Sequence, residues 1–543
     1  MAATSAPRDV SRLESLGYAQ ELKRNISFMA TFGFSFSIMG KLDLSLSSCR
    51  YSLPYGGPVA MNWGWFLAGG LILFIGLSMA ELASSMPTSG GLYFWTHRLG
   101  PPKYRNLLAW FVGYNSFLGN VAATSSLAWA CAGIVFAAVS IADNTFTPTT
   151  GQTFGLYVGI LLAVGALCAY GSEILIFLQT PNVILNALLI LATVIGLPIA
   201  RRKELNTAEY TLGDFTNLTG WSPGMAFLLS MLAPVWTICS FDCAVSLSEE
   251  ASNASTAVPW AIVLAIGIAT LAGGLIMIIL SLTMGTDLAA INDSAIGQPL
   301  AYIYDQAFGK HGSLAIWSFM CIGTFFMTAS LAMPASRQAF AFARDGALPF
   351  SKYLYHVNKK TQTPVRTVWL IIALCIPLGA LGFADEAAIN AIFALAILGP
   401  YVAYGIPIAC RLFTKQNFQP GPWHLGRFSK PCAAIACIWM IFACVIFCFP
   451  ADINPDPATM NYACVVAGGV WAFSLGYYFL PGIGGKTFFR GPVTTEYEET
   501  YLATDYADIA IEADVNSNSD SKRDRKDSKT NTTTTVRPLI ISD

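Results

Sequence analysis

The chain has 543 residues, 54% of them hydrophobic and only 12% charged, with a mean hydropathy of +0.54 and a formal net charge of −1. A soluble domain would carry about 25% charge, and the chain has neither a basic stripe nor zinc-type spacing. A water-soluble enzyme and a nucleic-acid-binding module are therefore both excluded, and an all-α protein threaded repeatedly through a bilayer is expected.

The chain opens with MAATSAPRDVSRLESLGYAQELKR, which is polar and has no apolar core for a signal peptide. Residues 1–25 are read as an N-terminal tail with a short interfacial helix around Leu13 to Arg24. A hydrocarbon core about 30 Å thick needs about 20 apolar residues per helix. That rule places spans near 26–48, 59–84, 105–140, 153–170, 176–200, 222–245, 259–284, 313–343, 366–383, 387–410, 431–449 and 460–482. They make up a twelve-helix core over 26–482. Residues 483–543 turn acidic, then rich in Ser, Asp, Lys and Thr, and read as a disordered tail.

An even number of spans puts both termini on one side. Most Lys and Arg residues fall on that side, which makes it the cytoplasmic one. Arg201, Arg202 and Lys203 are the exception. Asn217 opens an Asn-Leu-Thr glycosylation pattern in the same outer loop. The 13 cysteines make no CxxC pair and read as buried hydrophobes; the four histidines are assigned to loops. Nothing in the sequence asks for a metal or cofactor. There is no HExxH, no GxSxG and no paired His/Asp in the spans, so no enzyme is expected.

The first and sixth spans are interrupted, and they occupy matching positions in two halves. The first, over Phe28 to Gly40, reads FMATFGFSFSIMG, with Gly33, Ser35, Ser37 and Gly40 among apolar residues. These small residues suit either an unwound helix, whose bare N–H groups would hold a carboxylate, or close helix packing. The sixth, over Pro234 to Glu250, reads PVWTICSFDCAVSLSEE. Trp236 and Phe241 offer π faces to an amine. Asp242 is the one acid well inside this span. It either faces a cavity or sits at the mouth of the span beside a backbone group or an Arg. Glu249 and Glu250 follow, and are read as partners of basic inner loops. A helix is broken in lipid only where the freed backbone meets a cavity or protein. Paired broken helices therefore point to the binding site of a secondary transporter. Further candidates for a gate or coupling role are Glu81, Asn120, Tyr401 and Tyr404. Each also has a bland reading: an interfacial charge for Glu81, a helix-to-helix hydrogen bond for Asn120, packing for the tyrosines.

The segments LGYAQELKR (16–24), TFGFSFSIMG (31–40), SMAELASSMPTSGGLYFW (78–95), PVWTICSFDCAVSLSEEASNA (234–254), ASRQAFAFARDGALPFS (335–351) and PYVAYGIPIACRL (400–412), in this order, resemble the fungal amino acid/choline (GABA-type) permease family of the amino acid–polyamine–organocation transporter superfamily. The resemblance implies the LeuT-type fold: a 5+5 inverted repeat plus two helices, with helices 1 and 6 broken around the substrate. It implies that Ser35, Ser37 and Gly40 bind the carboxylate end, and that Trp236, Phe241 and Asp242 face the rest of the substrate. It also implies proton symport of a small amino compound, GABA-like favoured, across the plasma membrane, with the vacuolar membrane as the other location. Choline or polyamine transport, or amino-acid sensing without transport, are the alternatives. One stretch departs from the family pattern. Where an apolar residue and Pro-Ser would follow Gly40, the chain reads KLDLSLSSCRY. It is either an outer-vestibule specialisation built on Lys41 and Asp43 or an error in the sequence.

Overall fold

The structure, a computed structural model, describes residues 6–39, 52–143, 146–292, 296–384, 386–414, 418–450, 453–456 and 460–493. Gly40 and the atypical Lys41–Arg50 stretch lie outside these residues, as does the tail from Thr494 onward. Among the described residues, nine helices are long and apolar enough to cross a membrane, and three shorter apolar helices accompany them. The short ones are Phe28–Ile38, Pro223–Thr237 and Ala463–Phe479, in the places of the first, sixth and twelfth spans. A helix thus stands in each of the twelve places; the described part of the first is Phe28–Ile38, and the sixth is interrupted after Thr237, as the proline and polar residues within it require.

The fifth span, Ser172–Ala200, shows how membrane burial reverses the soluble pattern. Gln179, Asn182, Asn186 and Thr193 are buried at helical spacing. Phe177, Ile184, Leu188, Leu191 and Ile195 face outward. Polar groups turn to the bundle because lipid offers them no partner. The second span, Gly57–Ser85, packs along the seventh, Ala254–Thr283. Trp65 Nε1 donates to Thr270 O at 3.1 Å. The third span, Arg105–Ala142, packs on the eighth, Pro299–Arg344, and on the tenth, Glu386–Phe413. Spans two and seven, and three and eight, are the mates that a five-plus-five repeat would bring together. Close approach is enforced at Gly399, where a Cβ would stand 2.9 Å from the Asn115 carbonyl oxygen and 3.1 Å from Gly119 Cα. This contact sets the third span against the tenth beside Asn120.

The N-terminal helix is Ala6–Ser15, earlier than the interfacial helix expected over Leu13 to Arg24. Gly17, at φ +93°, ends it. Its N–H donates to Glu14 O and that of Tyr18 to Leu13 O, the paired bonds of a Schellman cap. The chain then runs irregularly across the end of the bundle, with Tyr18 and Leu22 buried. Arg12 donates to Ser84 O and Ser85 O at the end of the second span, and Arg24 to Ala251 O. At the other terminus Phe489 is buried against Trp110, ring centroids 5.3 Å apart. Two histidines depart from their loop assignment. His97 lies in the short helix Gly91–Leu99. His311 lies just past Gly309, whose φ of +67° divides Pro299–Arg344 into two helical pieces at a kink.

Candidate functional site

The site is built where the sixth span loses its helical hydrogen bonds. Pro234 has no N–H to offer Ser230 O, which accepts from Ser52 Oγ at 3.0 Å instead. The unwinding proper comes four residues later. Ile238 leaves helical geometry (φ −98°, ψ 61°), and Ser240 takes a left-handed φ of +56°, unusual for a residue with a side chain. Helix resumes at Cys243–Ser246, with Asp242 as its first flanking residue. Among the described residues, no backbone carbonyl accepts from the N–H groups of Cys239, Ser240 or Phe241. The Cys239 N–H meets its own sulfur, which leaves the N–H groups of Ser240 and Phe241 as donors of the kind an anion takes.

Beside the break lies a small cavity. Ile38, Ser126, Trp236, Cys239, Ser240 and Leu331 line it, and at about 10 Å³ it has room for about one water molecule. Asp242 is fully buried but does not line this cavity. Its Oδ1 accepts from the Tyr404 hydroxyl at 2.5 Å, and Asn120 hydrogen-bonds to it as well. Phe241 lies against Tyr404, ring centroids 5.1 Å apart, and Tyr401 stands 6.3 Å from Tyr404. Asp242 instead borders a second cavity of similar size on the terminus-bearing side, which it shares with Ser89, Tyr93, Ser116, Ser246 and Gln338.

The structure thus brings Phe241, Asp242, Asn120, Tyr401 and Tyr404 into one cluster and places Trp236 on the adjoining cavity. The first-span serines sit differently. Ser35 is buried, and its hydroxyl meets no partner in the protein. Ser37 accepts from Asn182 Nδ2 at 2.6 Å and lies 3.3 Å from Ser330 Oγ. Gln179 donates to Ser330 at 2.9 Å, so a chain of neutral polar groups ties the first, fifth and eighth spans together. Glu81 is not in the cluster. It accepts from Ser429 Oγ at 2.5 Å, between the second and eleventh spans. Sequence reasoning missed Gln179, Ser330 and Gln338. The four- and three-residue spacing of Gln179, Asn182 and Asn186 on one helical face was the signal for the first.

Toward the termini, the buried acids after the break are paired. Glu249 accepts from both terminal guanidinium nitrogens of Arg344 at 3.1 Å and also from the Ser89 N–H at 2.9 Å. Glu250 accepts from Arg337 Nε at 2.7 Å. These arginines belong to the eighth span rather than to loops. Asp345, just past the end of that span, accepts from the hydroxyls of Tyr93 at 2.6 Å and Tyr18 at 3.2 Å, and from the Val493 N–H at 3.0 Å. Both terminal segments therefore meet on one carboxylate. Burial pushes Asp345 up to about 6, against the opposing pull of Arg344. A carboxyl that holds its proton more tightly folded than unfolded stabilises most at low pH. Its contribution falls as pH rises from about 4 to about 6 and is flat above. Asp345→Asn should remove that part of the slope when the melting temperature of the purified protein is followed across this range.

A family model described as amino acid permease matches residues 26–470. The chain belongs to the amino acid permease family. An uncharacterised amino-acid permease of Schizosaccharomyces pombe is 37% identical over 92% of this chain and 90% of its own length. A GABA-specific permease of Saccharomyces cerevisiae is 35% identical over 93% of this chain and 90% of its own. Amino-acid permease 2 of Neurospora crassa is 33% identical over 89% and 88%. The match covers the expected family and the helical core as far as residue 470, within the last helix. The permease is a multi-pass membrane transporter of amino acids, and its broken sixth span with the adjoining cavities is the candidate transport site.

Proposed function

We propose that this permease imports a GABA-like amino acid together with a proton across a fungal plasma membrane, with both termini cytoplasmic. The observation that carries this reading is the broken sixth span. It puts Trp236, Cys239 and Ser240 on one small cavity, with the buried acid Asp242 two residues after Ser240. The substrate carboxylate would meet the backbone at Ser240, and its ammonium would meet the face of Trp236. Asp242 is held by the neutral donors Tyr404 and Asn120, so its charge can change without breaking an ion pair. A carboxylate at this depth costs at least about 2.5 kcal/mol on insertion scales, and taking up a proton removes that cost. The likeness to a GABA-specific permease over nearly the whole chain favours GABA over choline or a polyamine.

The test is radiolabelled GABA uptake in a permease-deficient fungal host at two external pH values. Unlabelled choline, putrescine and proline serve as competitors. Saturable uptake that rises at acidic pH and collapses with a protonophore is the expected result. PH-independent uptake would overturn symport, and strong competition by choline would move the substrate class. Surface expression without uptake would favour a sensor and would direct repair to residues 41–50.

A further inference from the structure

The second cavity, on the terminus-bearing side of Asp242, contains a polar side chain that the protein leaves unanswered. Gln338 is only 4% exposed, and neither its Oε1 nor its Nε2 meets a hydrogen-bond partner in the protein. Across the same cavity the hydroxyl of Ser89, itself buried, is also unpartnered. Leaving a buried polar group unpaired costs about 1–3 kcal/mol, so such groups are as a rule answered by ordered water. The cavity, at about 10 Å³, takes about one water molecule. Its wall also includes Asp242 and Tyr93. The Tyr93 hydroxyl in turn donates to Asp345 at 2.6 Å.

We infer that this cavity holds a water between Gln338 and Ser89, and that the water joins Asp242 through Tyr93 to Asp345 as the exit route of the transported proton. The inference rests on the symport reading above and deepens it. Asp242 gives its proton to the water, the water passes one of its own to the Tyr93 oxygen, and Tyr93 releases its original proton to Asp345. Every O–H bond broken is matched by one formed, and only the two carboxyl groups change charge. Around Asp242 the facing groups are Tyr404 from the tenth span, Asn120 from the third, and the Cys239 and Cys243 thiols of its own segment. Around Asp345 they are Tyr18, Tyr93 and Arg344, with Glu249 behind Arg344. Asp345, which burial brings to about 6, titrates close enough to neutrality to receive a proton and release it. Tyr18 and Val493 cover its outer side.

The test uses the full-length permease in proteoliposomes, as wild type, Tyr93→Phe, Gln338→Leu and Gln338→Asn. Three rates are read: GABA uptake driven by an imposed pH gradient, GABA-induced proton movement reported by a trapped pH dye, and exchange of labelled for unlabelled GABA at equal pH. Exchange needs no proton release. Tyr93→Phe and Gln338→Leu should lower gradient-driven uptake and proton movement about tenfold or more, while exchange changes far less. Gln338→Asn, which keeps both polar atoms, should recover part of the driven rate. Equal losses in all three rates would mean that the residues only support the fold, and would overturn the route. Undiminished driven uptake in both Tyr93→Phe and Gln338→Leu would overturn it as well. A wild type in which GABA moves no protons would instead overturn the symport reading, and the route with it.

Discussion

Asp242→Asn is expected to abolish concentrative uptake while retaining much of the substrate exchange. Asparagine mimics the protonated acid in shape and charge, and the Tyr404 hydroxyl can still donate to its amide oxygen, as it does to Asp242 Oδ1 at 2.5 Å. The variant would therefore be held in the proton-loaded form. It could bind and swap substrate across the membrane but could not reset after releasing a proton. The same substitution separates two roles for this residue. If Asp242 were the counter-charge of the substrate ammonium, neutralising it would weaken binding, and exchange would fall together with accumulation. The geometry favours the first outcome, because Asp242 borders the terminus-side cavity and not the one lined by Trp236. Accumulation ratio and exchange rate, measured on the same proteoliposomes, decide between them. Uptake unchanged for every amine tested would remove Asp242 from the mechanism.

The second large effect is expected at Arg344. Its side chain is 1% exposed and that of its partner Glu249 is 0% exposed, so removing the cation strands a carboxylate inside the protein. Breaking a buried pair by deleting one partner costs about 3–5 kcal/mol, a large part of a typical folding margin of about 5–15 kcal/mol. Arg344→Met should therefore lose most of its monodisperse, membrane-extracted protein on size-exclusion chromatography. The double variant Arg344→Met with Glu249→Gln should recover much of it. Its amide oxygen can still accept from the Ser89 N–H, and no bare charge remains. Equal losses in the single and double variants would show that packing of the arginine matters, such as its stacking 3.9 Å over the Tyr18 ring, rather than the charge pair. The pair also joins the segment after the broken sixth span to the end of the eighth. Loss of closure on the terminus-bearing side is therefore the expected functional consequence in any protein that survives.

The fold was largely legible because lipid imposes two strong rules. Spans must be long and apolar, and breaks in them must be answered by protein or cavity. The twelve apolar runs and the interruption of the sixth follow from those rules, and the ordered motifs from LGYAQELKR to PYVAYGIPIACRL led to the family. The chemistry around the break was legible only in part. Asp242, Asn120 and Tyr404 were each singled out, but nothing in the chain places residues 120, 242 and 404 around one carboxylate. Which side of Asp242 faces which cavity depends on the direction in which the backbone turns at Ser240. Arg344 illustrates the same division. Its charge at the end of a span was visible, yet whether it snorkels to water or grips Glu249 depends on how the sixth and eighth spans approach each other.

By itself, then, the sequence determined that this chain spans a membrane many times, where its helices break, and to which family of transporters it belongs. Hydropathy and glycine or proline placement act locally and leave their mark within about 20 residues. Tertiary structure alone decided that Ser37 is held by Asn182 and Ser330, that Glu81 pairs with Ser429, and that Gln338 faces a cavity with Asp242. Each of these is a contact between helices far apart in the chain. In a bundle where a buried polar group must find another or stay unpaired, the packing of the helices chooses the partner.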